Sequence, residues 1–546
     1  MLHVTWDTIR YSTIASGVLL HNLVFRRGEW DSNSLDILLR YLCASTIGAA
    51  VLFFFPVIQH DTILVSATDI PSLVMYHVLG IYASMLIYRW GFHRLRQFPG
   101  PFLARLSKIY LTIVTGKNMQ AHEGLDRLHK DYGDYVRVGP NELSIVDPAA
   151  VNALYGNQAT SRGPWYNMLG PLDGLGFTRD PVEHARTRKV VDQAFSSKAV
   201  ASYEPVVSNC AAQFLHVIEK QAGAPIDVSN LVRRYSYEVM GHLILGEPFN
   251  TIGLDGGDTY LLDSIHHAGE IMGYLRHMLW LPYLVLKTPY CKAKKKEFMI
   301  FLENRFAARR QRKPEKPDVF AWMLEAYETG PKTERDTEKL HGLGYTTLLA
   351  GSDTLYSAMS LLFFHMARSK PLARSLQREL DLLPQLNNQA LRKVNLLNGI
   401  IHETLRLHPP IASGMQRVTN KEGIHIGDKY IPGNVLVQIP IYSLQRDERS
   451  FVHADELIPE RWTTQPELIK NRAAFLPFHA GPYVCPGRQV SMMEMRRLVA
   501  EVLRRYDIGF APGQTAQEFV DGRVDAMSIS PAPLRLVFTP RVVEGM

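Results

Sequence analysis

The 546-residue sequence predicts a mainly α-helical body with small β-sheets, an α+β fold, behind an apolar N-terminal anchor. Three observations predict it. Apolar residues recur with helical period almost without interruption over about 181–409. Strand-like alternation is confined to 135–138 with 142–146, around Gly139-Pro140-Asn141, and to 424–440. Before Pro99 the chain passes through three apolar waves.

The waves cover 11–25, 35–58 and 71–88. The second and third approach the roughly 20 residues that span a bilayer. The first is shorter and carries His21 and Asn22, so it reads equally as a span or as an amphipathic helix lying in the interface. Apolar character returns after the first wave with no small-residue cleavage site following a single short core, which argues against a cleavable signal peptide. Arg26 and Arg27 follow the first wave and Arg89, Arg94 and Arg96 the third, while the loop between the second and third has no lysine or arginine. The positive-inside rule then puts the body in the cytosol. Pro99-Gly100-Pro101 forbids continuous helix and marks the boundary between an anchor, 1–98, and a catalytic domain, 99–546.

The formal net charge is +7, but lysine and arginine are scattered rather than gathered into basic arms, so nucleic acid is not an expected partner. Cys43, Cys210, Cys291 and Cys485 form no CxxC pair and no regular spacing, which excludes a disulfide framework or a zinc site and points to a reducing compartment. No GxGxxG lies between a strand and a helix. Reducing electrons, if needed, come from another protein.

The most specific segment is Phe478-His479-Ala480-Gly481-Pro482-Tyr483-Val484-Cys485-Pro486-Gly487, followed by helical spacing of Met495, Leu498, Val499, Val502, Leu503 and Tyr506. Gly481 and Gly487 let backbone pass close to a flat macrocycle such as haem, Pro486 suits a first helical turn, and a helix N-terminus stabilises a sulfur anion. The alternative is a buried free cysteine at a loop–helix junction.

A second element is a helix over about 340–369, apolar on nearly every side and therefore expected to cross the core. It contains Ala350-Gly351-Ser352-Asp353-Thr354. Ala350 and Gly351 leave room for a planar group. Thr354 can bond back to a carbonyl, open the helix and hold water, and Asp353 can relay protons. The alternative is a kinked packing helix. Glu403 and Arg406 share a helical face, and Arg461 of Pro459-Glu460-Arg461-Trp462 can complete a network with them that clamps the cysteine loop. Alone, such a pair is usually a surface ion pair.

Taken in this order, these segments resemble the cytochrome P450 family from about Pro99 to the C-terminus. The anchor, proline hinge and single catalytic domain resemble the microsomal type, and the three waves with Gly163-Pro164-Trp165-Tyr166 resemble fungal members of secondary metabolism. The resemblance implies a haem-thiolate fold and a monooxygenase that uses haem b, with electrons from NADPH through a separate cytochrome P450 reductase. It implies Cys485 as axial ligand of the haem iron, Phe478, Gly481 and Gly487 as its surroundings, and Thr354 and Asp353 in proton delivery. It makes Glu403, Arg406 and Arg461 structural, and His184, Arg188 and Arg417 partners of the haem propionates. Tyr483 departs from the family, which usually has arginine two residues before the cysteine; a phenol brings no positive charge.

The resemblance also places a cavity opposite Cys485, bordered by 163–178, 271–286, 411–415 and 527–529. Trp165, Leu169, Phe177, Met272, Met278, Leu281, Ile411 and Met527 favour a small hydrophobic or aromatic substrate. The segment 278–286 is expected to dip into membrane lipid, and Lys189, Lys470, Arg472 and Arg488 to meet the reductase, with the enzyme in the endoplasmic reticulum. An isomerase, dehydratase or peroxide-dependent haem-thiolate enzyme, or a non-catalytic membrane haem protein, remains the alternative.

Overall fold

The computed structural model describes residues 5–541 apart from 60–61, 157–159, 170–173, 254–258 and 313–315. It divides into two compact units, one of 1–112, 137–142 and 275–295, the other of 113–136, 143–274 and 296–546.

In the first unit the three waves form Trp6–Leu20, continued by a π-helical turn His21–Phe25, then Ser34–Phe54 and Ile70–Ile87. Asp31–Phe54 (24 residues) and Ala67–Phe92 (26 residues) are long and apolar enough to cross a membrane. No residue of Ser34–Phe54 is buried, and Phe53 and Phe54 are each 72% exposed, an apolar surface of a size that marks contact with lipid or protein. The strand pair Val57–Gln59 with Thr62–Val65 has no signal in the sequence.

The first helix crosses the third at two glycines. A Cβ on Gly17 would fall 2.0 Å from the His77 carbonyl oxygen, and one on Gly80 2.1 Å from that of Ile14, so no larger residue permits this approach. Polar groups of the first wave are satisfied across the crossing: Ser16 Oγ lies 2.8 Å from His77 Nδ1, His21 Nδ1 2.8 Å from Ser84 Oγ, and Asn22 donates to Ser84 Oγ at 3.2 Å. His77 Nε2 meets Tyr41 OH of the second helix at 3.1 Å. The same unit holds the helix Trp280–Leu286, where the Trp280 carbonyl accepts from Ser34 Oγ at 3.1 Å.

The second unit is built on the helix Glu334–Arg368, which starts on a Thr333–Asp336 capping box and is buried along most of its length from Leu340 onward. Val228–Met240, Asn395–Leu407 and Arg488–Arg505 pack against this central helix. Pro181–Ala194 is capped by the Asp180 side chain. Strand Arg417–Thr419 pairs antiparallel with Leu436–Gln438 on one side and Thr160–Arg162 on the other.

Strands occur where the sequence shows an alternation, at Tyr135–Gly139, Glu142–Ile145 and within 424–440, but also beyond it. Tyr506–Phe510 pairs with Arg535–Pro540, which also takes up Ile226–Asp227, and Val524–Ala526 pairs with Ser528–Ser530. Tyr506 therefore opens a strand instead of extending the helix after the cysteine, which ends at Arg505. Such short strands draw their stability from long-range partners and carry little local period.

Candidate active site

One cavity of about 330 Å³ in the second unit collects three elements. The first is the loop before Arg488–Arg505, which contributes Phe478, Tyr483, Val484, Cys485, Pro486 and Gly487. The Cys485 N–H donates to the Phe478 carbonyl at 2.9 Å and closes the loop. Gly481 turns it at φ +66°, and a Cβ there would lie 1.7 Å from the Tyr155 carbonyl oxygen. Gly481 does not line the cavity, so its requirement is conformational; Gly487 does line it. Burial pushes the Cys485 thiol up, while the N–H groups of Gly487 and Arg488 and the charges of Arg188 and Arg488 pull it down. Arg188 donates to the Val484 carbonyl at 2.5 Å and to Asp192 at 2.6 Å.

Behind the loop, Glu403 is fully buried and accepts from Arg406 (2.8 and 3.0 Å), Arg461 (2.8 Å), Trp462 Nε1 (2.8 Å) and the Ile458 N–H (3.1 Å). Arg406 also donates to the Gln445 carbonyl at 2.8 Å, and Gln445 Oε1 accepts from the Leu476 N–H at 2.7 Å, two residues before Phe478. Burial alone would raise the Glu403 carboxyl; the Arg406 hydrogen bonds and the charges of Arg406 and Arg461 outweigh it and hold the carboxyl below its ordinary range.

The second element is a cluster of buried cations. Arg162 and Arg417 are register partners on adjacent strands, both buried and both lining the cavity. Arg162 donates to the carbonyls of Leu175 (2.8 Å) and Thr178 (2.7 Å), whereas Arg417 Nε and Nη1 have no hydrogen-bond partner. No carboxylate pairs with either among the described residues. The guanidinium carbons lie 4.7 Å (Arg162) and 3.9 Å (Arg417) from the Tyr483 ring centre, and the His184 ring is 4.3 Å from it on centres. Burial, with Arg162, Arg188 and Arg417 nearby, lowers His184 to about 4, so its imidazole is neutral at pH 7. Like charges directly opposite are destabilising without an anion between them. A soft sulfur, two buried cations lacking carboxylate partners and apolar walls fit a flat metal macrocycle bearing carboxylates, as haem does. Arg162, a buried cation beside Tyr483, is missed by the sequence reading because no motif marks it.

The third element is the central helix, which lines the cavity with Thr346, Thr347, Leu349, Ala350, Gly351, Asp353 and Thr354. Gly351 makes room for Met240, whose Sδ would lie 2.6 Å from a Cβ there. Thr354 Oγ1 donates to the Ala350 carbonyl at 2.8 Å, but Thr346, Ser352 and Ser360 bond back in the same way and the helix stays α-helical throughout. No helix opening marks Thr354, and Thr346 and Thr347 share both its back-bond and its place at the cavity; what sets Thr354 apart is the buried carboxyl of Asp353 beside it in the chain. Asp353 Oδ1 accepts from Tyr237 OH at 2.8 Å. Burial raises the Asp353 carboxyl to about 6, tempered by that hydrogen bond and by Arg233. Tyr237 has no sequence signal, since it comes from a helix remote in the chain.

Phe177, Ile411 and Met527 reach the cavity, with Leu175, Leu355 and Met415 beside them. Trp165 and Met272 do not; Trp165 packs on Phe177, ring centres 5.9 Å apart. Met278 and Leu281 belong to the first unit, and 170–173 of the expected 163–178 border lie outside the described residues.

A mainly helical body whose central helix faces a cysteine loop across an apolar, cation-rimmed cavity defines a haem-thiolate class of oxidoreductase. The family profile for Cytochrome P450 matches residues 99–538, and the chain belongs to that family, as a monooxygenase-type member requiring haem. Among its relatives are fungal enzymes: it is 45% identical over 475 residues to Cytochrome P450 monooxygenase orf5 of Eupenicillium brefeldianum (87% of this chain, 97% of the relative). It is 39% identical over 549 residues to Cytochrome P450 monooxygenase FCK2 of Fusarium pseudograminearum (99% of each). Tryprostatin B 6-hydroxylase of Aspergillus fumigatus is 30% identical over 537 residues (96% of this chain, 95% of the relative). The crystal structure of a cytochrome P450, CYP102L1, shares the fold at a TM-score of 0.65 and 20% identity, covering 77% of this chain and 94% of that one.

Proposed function

We propose that the enzyme inserts one oxygen atom from dioxygen into a small apolar or aromatic metabolite of fungal secondary metabolism, with electrons from NADPH through a separate reductase. The observation that carries this reading is one cavity with Cys485 in one wall, Asp353 and Thr354 in another, and Phe177, Leu349, Ile411, Met415 and Met527 between them. In this reading Cys485 would supply the thiolate to the haem iron, Arg162, His184, Arg188 and Arg417 would hold the propionates, and Phe478 and Gly487 would complete the slot. Haem, when bound, supplies the redox centre at which dioxygen is activated, and thiolate ligation favours O–O cleavage. Asp353, whose carboxyl is raised to about 6, takes up and passes on a proton near neutral pH, Thr354 orients water toward the cavity, and the apolar lining keeps other water out and sets which C–H bond is presented. Turnover under ¹⁸O₂ with reductase and NADPH should give product carrying one labelled oxygen; unlabelled product would favour an isomerase or dehydratase.

General acid–base groups contribute typically about 10²–10⁴-fold, so Thr354→Ala should lower product formed per NADPH by at least about tenfold, with peroxide appearing instead. A peroxide assay beside NADPH consumption measures it. The Asp353 carboxyl should titrate near pH 6, and Tyr237→Phe should move it upward, since that hydrogen bond favours the charged form. The protonated C=O stretch in infrared pH titrations, assigned by its loss in Asp353→Asn, reads the shift.

The reading includes an endoplasmic-reticulum anchor over 1–98 and a cytosolic catalytic domain from 99, where the family match begins. The glycine crossing of Trp6–Leu20 and the hydrogen bonds of Ser16 and His21 to Ile70–Ile87 support three spans over two. A glycosylation acceptor added before Thr5 should then be modified in microsomes. The exposed Lys189, Lys470, Arg472 and Arg488 are assigned to the reductase face.

A further inference from the structure

Two segments that line the active-site cavity, far apart in sequence, are tied together by a buried carboxylate that does not itself line it. Strands Val524–Ala526 and Ser528–Ser530 pair Ala526 with Ser528, so Met527 alone makes the turn, at φ +81°. A methionine in that region is a backbone outlier held by its surroundings. Met527 and Ser528 line the cavity, as do Ile411 and Met415 of the loop after Pro410. Asp525, 2% exposed, lies two residues before the tip, and its Oδ2 accepts from Ser413 Oγ, from the His122 backbone N–H at 3.1 Å, and contacts His122 Nδ1 at 3.3 Å. Ser413 sits between Ile411 and Met415. The Ile529 N–H donates to the Pro410 carbonyl at 2.7 Å, a second tie between the same segments. Behind the tip, Gly273 packs so closely on Ala526 that a Cβ would fall 2.5 Å from its Cα.

The geometry points to Asp525 as a positioning residue for substrate selection: through Ser413 and His122 it locks the Met527 tip and the 411–415 loop into one wall of fixed depth. The carboxylate gathers donors from both sides of the hairpin, and neutralising it leaves a buried hydroxyl and N–H groups competing for fewer acceptors. The tip then relaxes from its outlier conformation and the wall opens. This rests on the reading of the cavity as the haem and substrate site.

The test is spectral titration of the haem-loaded enzyme with imidazole, which is small, and clotrimazole, which reaches the wall. Loss of a hydrogen bond to a charged group is large enough that Asp525→Asn should shift the clotrimazole-to-imidazole affinity ratio by about tenfold in favour of clotrimazole, with imidazole binding and the reduced carbon monoxide spectrum unchanged. Ser413→Ala, which leaves the carboxylate its His122 donors, should shift the ratio the same way by less, and decides the matter if Asp525→Asn does not accumulate. Met527→Gly should shift the ratio as well and make Asp525→Asn silent in the double variant. A ratio unchanged in these variants, or both azoles changing in parallel, overturns the assignment of Asp525. A parent protein giving no azole spectrum at all fails the haem-site reading instead.

Discussion

Cys485→Ala is expected to yield a folded protein that, reduced and exposed to carbon monoxide, lacks the red-shifted absorption of thiolate ligation and turns over at background. The reason is local. Cys485 provides the thiol in the cavity wall, and the N–H groups of Gly487 and Arg488 favour its anion. Fold retention is expected because the loop is held from elsewhere, by the Cys485 N–H to the Phe478 carbonyl and by Arg188 on the Val484 carbonyl, neither of which uses the sulfur. Circular dichroism measured beside the carbon monoxide spectrum separates loss of the ligand from loss of the fold. A Cys485→Ala protein with parental turnover would end the haem-thiolate reading.

Arg406→Ala should have the largest effect on stability. It removes a fully buried guanidinium that donates to Glu403 and to the carbonyls of Gln445, Ala454 and Glu456. Breaking a buried pair costs about 3–5 kcal/mol, a large share of the roughly 5–15 kcal/mol that holds a typical domain. The loss should appear first as poor haem retention, because Arg406 reaches the cysteine loop through Gln445 and Leu476. Denaturant midpoints and haem content per chain measure both. Glu403 adds a pH signature. Its folded carboxyl lies below the ordinary 4.5, so its contribution is present above pH 4.5 and is lost as pH falls through the folded value. Glu403→Gln should flatten that acid limb while lowering stability at pH 7.

The helical body, the central helix and the cysteine loop are legible in the residues because each rests on local chemistry. An all-round apolar period of 3.6, glycine at a positive φ and proline at a helix start act within a few residues of themselves. Arg162 is not legible, because a single arginine in Thr160-Ser161-Arg162 acquires meaning only when strand pairing sets it opposite Arg417. Tyr237 and Asp525 are hidden for the same reason, since their partners Asp353 and Ser413 lie more than a hundred residues away.

What the sequence by itself determined is the main helices and the chemical types they carry: apolar helices, a glycine-turned cysteine loop, and an acid–hydroxyl pair inside an apolar helix. Only the tertiary structure decided which side chains share the cavity, which buried cations line it, and which groups meet at the Met527 tip. Local propensities act over a turn or two of chain, whereas burial and hydrogen-bond pairing are settled by neighbours that folding alone brings together.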